Sequence, residues 1–418
     1  MSLIEWHQDH PEQSFLAVDG TAPESAGINL RKVRLYRLNR VRQEMKRRDI
    51  AALILSDPVN IRYTTGARNM QVFSARNTPS RYLLLTDQES ILYEFTGCLH
   101  LAKDLETIDK VLPSTTASYV AAGPQIEQRE KAWASDMLKT IQKLVGERRL
   151  TIGLERMNAG VAIELALQGV EVVDAQEPVE MARCIKSKEE LKCMMASLQA
   201  TETAVGVLRE HIRPGITENE LWSVLHQQII AMNGDYVETR LLSSGSRTNP
   251  WFQESSHRTI GKNELIGLDT DVVGCHGYYS DFSRTFHSGP DQPSRQQKEL
   301  YRVAYEQIQH NISILKPGMT FREYAEKAWD IPEKYHANRY YLSAHGVGMT
   351  GEYPYLYHHA DFPEAGYDGV IHPDMTICVE SYIGEDGGHE GVKLEEQLLI
   401  TETGTELLSN YPFEEDLL

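Results

Sequence analysis

Short apolar runs alternate with helical patterns in the first part of the chain. The runs are five or six residues long and end at polar or turn-forming residues, which is typical of buried β-strands. They lie at residues 51–56 (AALILS), 81–86 (RYLLLT), 91–95 (ILYEF) and 151–155 (TIGLE). The stretch VNIRYTTG, residues 59–66, leads to a turn at Gly66.

Helical periodicity fills the spaces between these runs. Apolar residues recur every three to five positions from residue 30 to residue 45, at Leu30, Val33, Leu38, Val41 and Met45. This spacing predicts an amphipathic helix, and another is predicted near residues 131–147. Strands alternating with helices indicate a small α/β domain that covers residues 30–178. Residues 1–29 contain scattered prolines and glycines and are predicted to form an irregular arm.

The pattern changes after residue 185, where a long helical stretch begins. Thr217 with Glu220, and Thr320 with Glu323, have the spacing of capping boxes and predict two helix starts. A further helix is predicted at residues 294–316. Because strands with hairpin signals dominate the later part, residues 179–418 are predicted to be an α+β domain, with helices covering one face of a curved, mostly antiparallel sheet.

Composition and charge narrow the classes of function. The 418 residues carry a net charge of −18, which argues against a nucleic-acid-binding surface. No run of about 18 apolar residues predicts a membrane span, and the first residues lack a signal-peptide pattern. We therefore expect a cytoplasmic protein without nucleic-acid or membrane partners. The five scattered cysteines indicate reduced, buried thiols.

Residues 265–286 (LIGLDTDVVGCHGYYSDFSRTF) bring three aspartates together. Asp269 and Asp271 are two residues apart and would share one face of a strand, and a second strand would bring in Asp281. Three unpaired carboxylates at one sheet edge repel each other, which favours a bound cation. The alternative is that these residues are ordinary turn and strand-end aspartates.

The last part of the chain offers further metal ligands. His345 lies among small residues in YYLSAHGVGMTGEYP, Glu380 interrupts the strand-like run TICVESYIG, and Glu395 follows Lys393 on one face of GVKLEEQLLIT. Each residue by itself is more typical of a structural or surface position. As a set with the three aspartates they are mostly oxygen ligands with one nitrogen, which suits Mn, Fe, Co or Zn in a two-metal site.

These residues resemble the pita-bread metalloenzymes, which include methionine aminopeptidase, aminopeptidase P, prolidase and creatinase. The order Asp, Asp, His, Glu, Glu and the segments VNIRYTTG, GITENEL, GYYSDFSRTF, HGVG and KLEEQLLIT carry the resemblance. It implies a creatinase-like N-terminal domain, a pita-bread catalytic domain, a small-molecule substrate and a homodimer.

Two departures set the chain apart from the proline-specific peptidases of this family. Those enzymes carry SG...PH, with a substrate-binding histidine, where this chain has SGSRTNPW and Trp251. They also carry a second histidine shortly after the HGxG motif, in a stretch that reads HGVGMTGEYP here. Hydrolysis of a C–N or amide bond, including Xaa-Pro peptides, is therefore the alternative function.

The D-T-D pair and the segments RNMQVFSARN and SGSRTNPWFQES are similar to the dimethylsulfoniopropionate lyase (DddP) subgroup. The resemblance implies that all six acidic and histidine residues bind two metal ions, commonly iron, and that Tyr340 lies in the substrate pocket. The implied reaction is a β-elimination that gives dimethyl sulfide and acrylate. Trp251, Tyr340 and Phe73 could contact a sulfonium by cation–π attraction, or could belong to the core.

One position departs from the lyase subgroup. That subgroup carries a proposed catalytic aspartate where this chain has Gly351, and glycine cannot accept a proton. Glu352 could replace it as the base, or could be a structural partner of a neighbouring strand, and Asp361 is a more distant candidate. We predict a two-metal enzyme that acts on a small carboxylate or onium compound. A non-catalytic binding protein of this fold would be expected to lose metal-binding residues. This chain retains all of them, which argues against that alternative.

Overall fold

The computed structural model describes residues 27–69, 80–146 and 150–418. Phe73 and residues 1–26 of the predicted arm lie outside the described residues. The chain divides into two compact units, of which one is Asn29–Arg183 and the other contains Cys184–Leu418. The boundary predicted at residue 178 falls inside a helix, Gln176–Arg183, that belongs to the first unit.

The first unit alternates helices with strands, as its sequence pattern predicts. Its helices are α1 (Leu30–Arg47), α2 (Pro58–Thr65), α3 (Tyr119–Ala122), α4 (Ile126–Val145), α5 (Ala159–Leu167) and α6 (Gln176–Arg183). Its strands are β1 (Ala52–Leu55), β2 (Tyr82–Leu85), β3 (Ser90–Glu94), β4 (Lys110–Pro113), β5 (Thr151–Leu154) and β6 (Glu171–Asp174).

These strands form one mixed sheet in the order β4-β3-β2-β1-β5-β6. β1 pairs with β5 in parallel and with β2 in antiparallel orientation. Helix α2 starts directly after β1 because Asp57 caps it, accepting a hydrogen bond from the backbone N–H of Val59 at 2.7 Å. It ends at Gly66, whose φ of 82° is the left-handed conformation that glycine adopts readily. Apolar residues of α4 and α5, including Trp133, pack against the sheet.

The second unit carries longer helices and several short strands. Its helices are α7 (Lys188–His211), α8 (Glu218–Ala231), α9 (Arg295–Ile314), α10 (Phe321–Lys327), α11 (Glu333–His336) and α12 (Phe362–Ala365). Its strands are β7 (Tyr236–Val237), β8 (Leu242–Ser244), β9 (Leu265–Asp269), β10 (Val272–Val273), β11 (Tyr279–Ser280), β12 (Ser283–His287), β13 (Ala344–Val347), β14 (Gly351–Leu356), β15 (Thr376–Gly384), β16 (Gly391–Ile400) and β17 (Thr405–Leu407).

The strands of the second unit form three antiparallel sheets. Their orders are β11-β10-β7, β12-β9-β8 and β14-β13-β15-β16-β17. Side-chain bonds join the second and third sheets. The hydroxyl of Thr285 on β12 donates to the carbonyl oxygen of Lys393 on β16 at 2.9 Å and accepts from its N–H at 3.1 Å. The middle of β12 therefore lies beside the first half of β16.

The helices of the second unit pack on these sheets through apolar faces. Leu198 of α7 and Leu225 of α8 share a core with Leu268 of β9 and Phe286 of β12. Helix α9 contributes Leu300 to a separate cluster with strands β15 and β16. Both predicted capping boxes are present, at Thr217 for α8 and at Thr320 for α10.

The predicted fold class is confirmed: an α/β domain is followed by an α+β domain. No helix among the described residues is long and apolar enough to cross a membrane.

Candidate metal centre

Three aspartates meet where β9, β10 and β12 come together. Asp269 is the last residue of β9 and pairs with Ser283, the first residue of β12. Asp281 lies two residues before Ser283. Asp271 does not continue the strand that was predicted, because its φ of 41° turns the chain between β9 and β10. One carboxylate oxygen from each aspartate nevertheless lies within 4.8 Å of the others.

Neighbouring strands of the five-stranded sheet bring in the remaining predicted ligands. Glu380 on β15 is directly opposite Glu395 on β16, and His345 on β13 is opposite Cys378 on β15. The side chains of these three residues and of Cys378 are almost completely buried. The structure thus brings together the six predicted ligands, which come from positions up to 126 residues apart (Asp269 to Glu395).

The imidazole of His345 faces three carboxylates. Its Nε2 atom lies 3.3 Å from Oε1 of Glu395, 3.4 Å from Oε1 of Glu380 and 3.6 Å from Oδ2 of Asp281. Its Nδ1 atom lies 2.9 Å from the carbonyl oxygen of Gly346, so Nδ1 carries a proton that it donates to that carbonyl. A hydrogen bond from one ring nitrogen of a histidine to a carbonyl oxygen directs the other ring nitrogen towards a metal.

The same carboxylates have oxygen atoms without hydrogen-bond partners. Oδ1 of Asp281, Oε1 of Glu380 and Oε1 of Glu395 are buried and accept no hydrogen bond from the residues that the structure describes. Buried carboxylate oxygens are costly unless they are paired or bind a metal. Ligands about 2.1 Å from a shared ion lie roughly 3.0–3.4 Å apart, close to the separations around His345. The residues present therefore fit a divalent metal ion.

Asp271 and Asp269 already accept hydrogen bonds from protein hydroxyls. The Tyr279 hydroxyl donates to Oδ1 of Asp271 at 3.0 Å, and the Thr239 hydroxyl donates to Oδ2 of the same residue. The Ser283 hydroxyl lies 2.7 Å from Oδ1 of Asp269 and 2.8 Å from Oε2 of Glu395. These bonds fix the orientation of the carboxylates.

Lys393 is a member of the cluster that sequence reasoning missed. Its ammonium lies 2.8 Å from Oε2 of Glu395, 2.9 Å from Oε2 of Glu380 and 3.2 Å from Oδ2 of Asp269. The side chain is 0% exposed. The sequence signal was its position two residues before Glu395, which places both side chains on one face of β16.

Cys378 also lies next to the cluster, although the sequence predicted a ligand set without sulfur. Its Sγ lies within 4.8 Å of ligand atoms of Asp281, His345 and Glu395. The thiol donates a weak hydrogen bond to the carbonyl oxygen of Asp281 at 3.5 Å. Burial, followed by the charge of Asp281, raises the pKa of this thiol well above its ordinary value, so it packs here as a neutral group.

Burial dominates the electrostatics of the carboxylates. It raises the pKa of Asp281 well above its ordinary value, that of Asp271 to about 8 and that of Glu380 to about 7. Burial also acts to raise the pKa of Glu395, but Lys393 and His345 outweigh it and hold this pKa below its ordinary value. For His345 burial is outweighed by Glu380 and Glu395, which raise its pKa to about 9. The cluster is therefore short of positive charge.

Comparison with known proteins identifies the family. Residues 192–402 match metallopeptidase family M24, and residues 37–185 match the creatinase/prolidase N-terminal domain. The chain belongs to metallopeptidase family M24. Enzymes of this family use dinuclear centres of divalent metal ions.

Two relatives in family M24 differ in their reactions. The dimethylsulfoniopropionate lyase DddP of Roseovarius nubinhibens is 32% identical over 395 residues, which cover 93% of this chain and 88% of the lyase. The Xaa-Pro dipeptidase of Pyrococcus furiosus is 29% identical over 234 residues, which cover 54% of this chain and 63% of the dipeptidase. The resemblance to the lyase subgroup, predicted from sequence motifs, is confirmed.

A solved structure shows the same fold. An Xaa-Pro dipeptidase from Bacillus anthracis matches with a TM-score of 0.71 at 21% identity, over 91% of this chain and 98% of its own. The two-domain arrangement of a creatinase-like domain followed by a pita-bread domain is thereby confirmed.

Two predicted aromatic residues of the M24 domain lie beside Lys393. The ammonium is 5.0 Å from the ring centroid of Tyr340 and 6.0 Å from that of Trp251. Tyr340 also contacts Phe252, at 5.3 Å between ring centroids, and Tyr341 at 4.9 Å. The rings of Tyr340 and Trp251, which were predicted to contact a substrate sulfonium, therefore already contact the ammonium of Lys393.

Gly351 and Glu352 face in opposite directions at the start of β14. A Cβ atom added at Gly351 would lie 3.9 Å from Nδ1 of His345. The carboxylate of Glu352 instead lies close to Gly348 and forms a buried ion pair with the ammonium of Lys186. The structure thus places the carboxylate of Glu352, the candidate base, with Lys186 and not within the cluster of the six predicted ligands. Asp361, the more distant candidate base, is ion-paired with Arg339.

Proposed function

We propose that this protein is a divalent-metal-dependent enzyme that acts on a small carboxylate, with dimethylsulfoniopropionate lyase chemistry as the first assignment. The observation that carries the proposal is the unpaired set of carboxylate oxygens around His345 Nε2. It occurs in a chain that aligns over 93% of its length with a lyase of this specificity. Iron is the favoured metal, with manganese, cobalt and zinc as alternatives.

The residues of the site divide into those that hold metal and those that shape the pocket. We assign Asp269, Asp271, Asp281, His345, Glu380 and Glu395 as ligands. Two divalent ions there would bind the substrate carboxylate and make the adjacent C–H more acidic. In the elimination, a base removes this proton, a C=C bond forms, and the C–S electron pair leaves with dimethyl sulfide.

Tyr340 and Trp251 are assigned to the pocket next to the ligands. Burial, and after it the charges of Glu380 and Asp269, raise the pKa of Tyr340 strongly. Its hydroxyl is therefore protonated and can donate a hydrogen bond to a substrate oxygen. Trp251 is buried, and its indole N–H has no hydrogen-bond partner within residues 27–69, 80–146 and 150–418. Both groups can orient a substrate, and neither can act as the base in this protonation state.

A second function is favoured by the region around Gly351. Position 351 provides no side chain, and Glu352 is held by Lys186. A metal-dependent hydrolysis of a C–N or amide bond does not need a carboxylate at position 351. This observation supports the hydrolase alternative, including cleavage of Xaa-Pro peptides. Trp251, at the position of the histidine that helps proline-specific peptidases bind substrate, counts against the peptide substrates.

The test is the release of dimethyl sulfide into the headspace by purified protein. The protein is loaded with iron or manganese and given dimethylsulfoniopropionate, and a sample treated with a chelator is the control. Metal-dependent release would support the lyase. If a fully metal-loaded protein releases none, the lyase assignment is wrong, and a panel of small amides and Xaa-Pro dipeptides then tests the hydrolase.

A further inference from the structure

We propose that Lys393 sets the charge of the metal centre, acting as a built-in cation that weakens metal binding on the Asp269 side and leaves the loaded centre neutral. The proposal depends on metal binding, which is common to the lyase and the hydrolase assignments. It does not depend on which reaction the protein catalyses.

Glu380 and Glu395 each divide their two oxygens between His345 and Lys393. Glu380 and Glu395 both present Oε1 to His345, at 3.4 and 3.3 Å. Both present Oε2 to the ammonium of Lys393, at 2.9 and 2.8 Å. Lys393 therefore leaves the His345 side open for a metal and fixes the rotation of both carboxylates.

Lys393 also contacts Asp269 directly. Its ammonium lies 3.2 Å from Oδ2 of Asp269, and the remaining oxygen of Asp269 accepts from Ser283. A metal ion bound by Asp269 would share this carboxylate with a positive charge. Like charges a few ångströms apart in a buried site repel strongly, so the affinity of this position for metal must be reduced by Lys393.

The charge of Lys393 completes the charge balance of the metal-loaded centre. The centre contains five carboxylates (Asp269, Asp271, Asp281, Glu380 and Glu395), and His345 binds metal as a neutral ligand. Two divalent ions supply four positive charges, and Lys393 supplies the fifth. A neutral centre can accept a substrate carboxylate without the repulsion that a net negative charge would cause. Lys393 is thus a positioning residue that acts through the ligands.

Contacts with neighbouring residues hold Lys393 in place. The backbone of Lys393 is tied to Thr285 of β12. The ammonium donates to the Ser283 hydroxyl at 2.9 Å and faces the rings of Tyr340 and Trp251. Cation–π contacts of this kind stabilise an ammonium in a desolvated place. Together these contacts hold the charge next to the carboxylates while the substrate pocket fills or empties.

The test measures metal binding and not turnover. Full-length protein is stripped of metal, and Mn²⁺ is titrated by calorimetry into the wild type, Lys393→Met, Lys393→Gln and Lys393→Arg. Removing the charge should strengthen the weaker Mn²⁺ step by on the order of tenfold or more, whereas Lys393→Arg should stay close to the wild type. Ser283→Ala is the matched control, because it removes a neutral donor to the same Asp269 and Glu395.

A structural role for Lys393 predicts the reverse result. If the residue only supports the fold, both neutral variants should bind Mn²⁺ more weakly, and an unchanged or lower affinity in them overturns the proposal. A second measurement keeps the proposal testable if the metal-free variants fold poorly. The rise in melting temperature on adding Mn²⁺ should be larger for Lys393→Gln than for the wild type, and an equal or smaller rise also overturns it.

Discussion

The Cβ position of Gly351 faces the ring of His345, at 3.9 Å from both Cε1 and Nδ1. This is an ordinary van der Waals separation. Gly351 is exposed, and its φ is outside the positive range that disfavours other residues. A Cβ at position 351 would therefore fit beside the ring of His345, whose Nε2 faces the carboxylate cluster.

Gly351→Asp should create or increase lyase activity. The aspartate would place a carboxylate beside the metal centre, and a positioned general base contributes roughly a hundredfold or more to a rate. The measurement is dimethyl sulfide release per metal-loaded enzyme. Gly351→Asn is the matched control, since it has the same size without a basic group. Equal rates for the two variants would contradict the hypothesis that this protein is a lyase in which only the base is missing.

His345→Ala and Asp281→Ala should remove metal and activity together. His345 faces the unpaired carboxylate oxygens and Asp281 carries one of them. Loss of a direct ligand should cost more than the roughly 10–100-fold that loss of an outer partner costs. Metal content by elemental analysis and turnover on the same sample provide the check. His310→Ala, a histidine that bonds the carbonyl oxygen of Lys327 instead, is the control. Turnover that persists in metal-free protein would exclude the proposed chemistry.

Glu352→Gln should lower stability more than it lowers turnover. The change leaves the ammonium of Lys186 buried without its partner, which costs on the order of 3 kcal/mol. Chemical denaturation measures this cost, and metal content should be unchanged. The kcat should fall by far less than the roughly hundredfold expected for loss of a general base.

The double variant Glu352→Gln with Lys186→Met separates the two roles. It should recover much of the lost stability, because the unpaired charge is gone. If turnover nevertheless collapses in the stable double variant, Glu352 is the base that the sequence suggested, and its ion pair is part of the mechanism.

His358 should make the protein sensitive to acid. Burial lowers its pKa from 6.5 to about 4, and its Nε2 lies 2.9 Å from the carbonyl oxygen of Tyr340. Between these two pH values the unfolded chain binds the proton and the folded chain does not. The stability from this group is therefore complete above pH 6.5 and is lost as the pH falls towards 4, by on the order of 3 kcal/mol.

His358→Gln should remove that part of the acid sensitivity. The comparison is the free energy of unfolding of the wild type and the variant between pH 7 and pH 4, by denaturant titration. The difference between the two proteins isolates His358 from the carboxylates of the metal centre. Parallel pH profiles for both proteins would show that this histidine does not titrate as its burial implies.

Local sequence patterns predicted several of the helices and strands and the residue types of the candidate metal ligands. The capping residues Thr217 and Thr320 define helix starts locally, because the caps bond within the same turn. The alternation along β16 places Glu395 and Lys393 on one face, because successive side chains of a strand point to opposite sides. The residue types of the predicted ligands were identified without coordinates.

Tertiary structure alone decided how these groups meet. Asp271 was predicted on a strand face, but it turns the chain at a positive φ. The direction of Glu352 depends on a register shift between His345 and Gly346 in the pairing of β13 with β14. The contact of Lys393 with Asp269 depends on β12 lying beside β16. Each feature is fixed by pairing between strands distant in the sequence, and a local pattern of residues carries no information about such pairing.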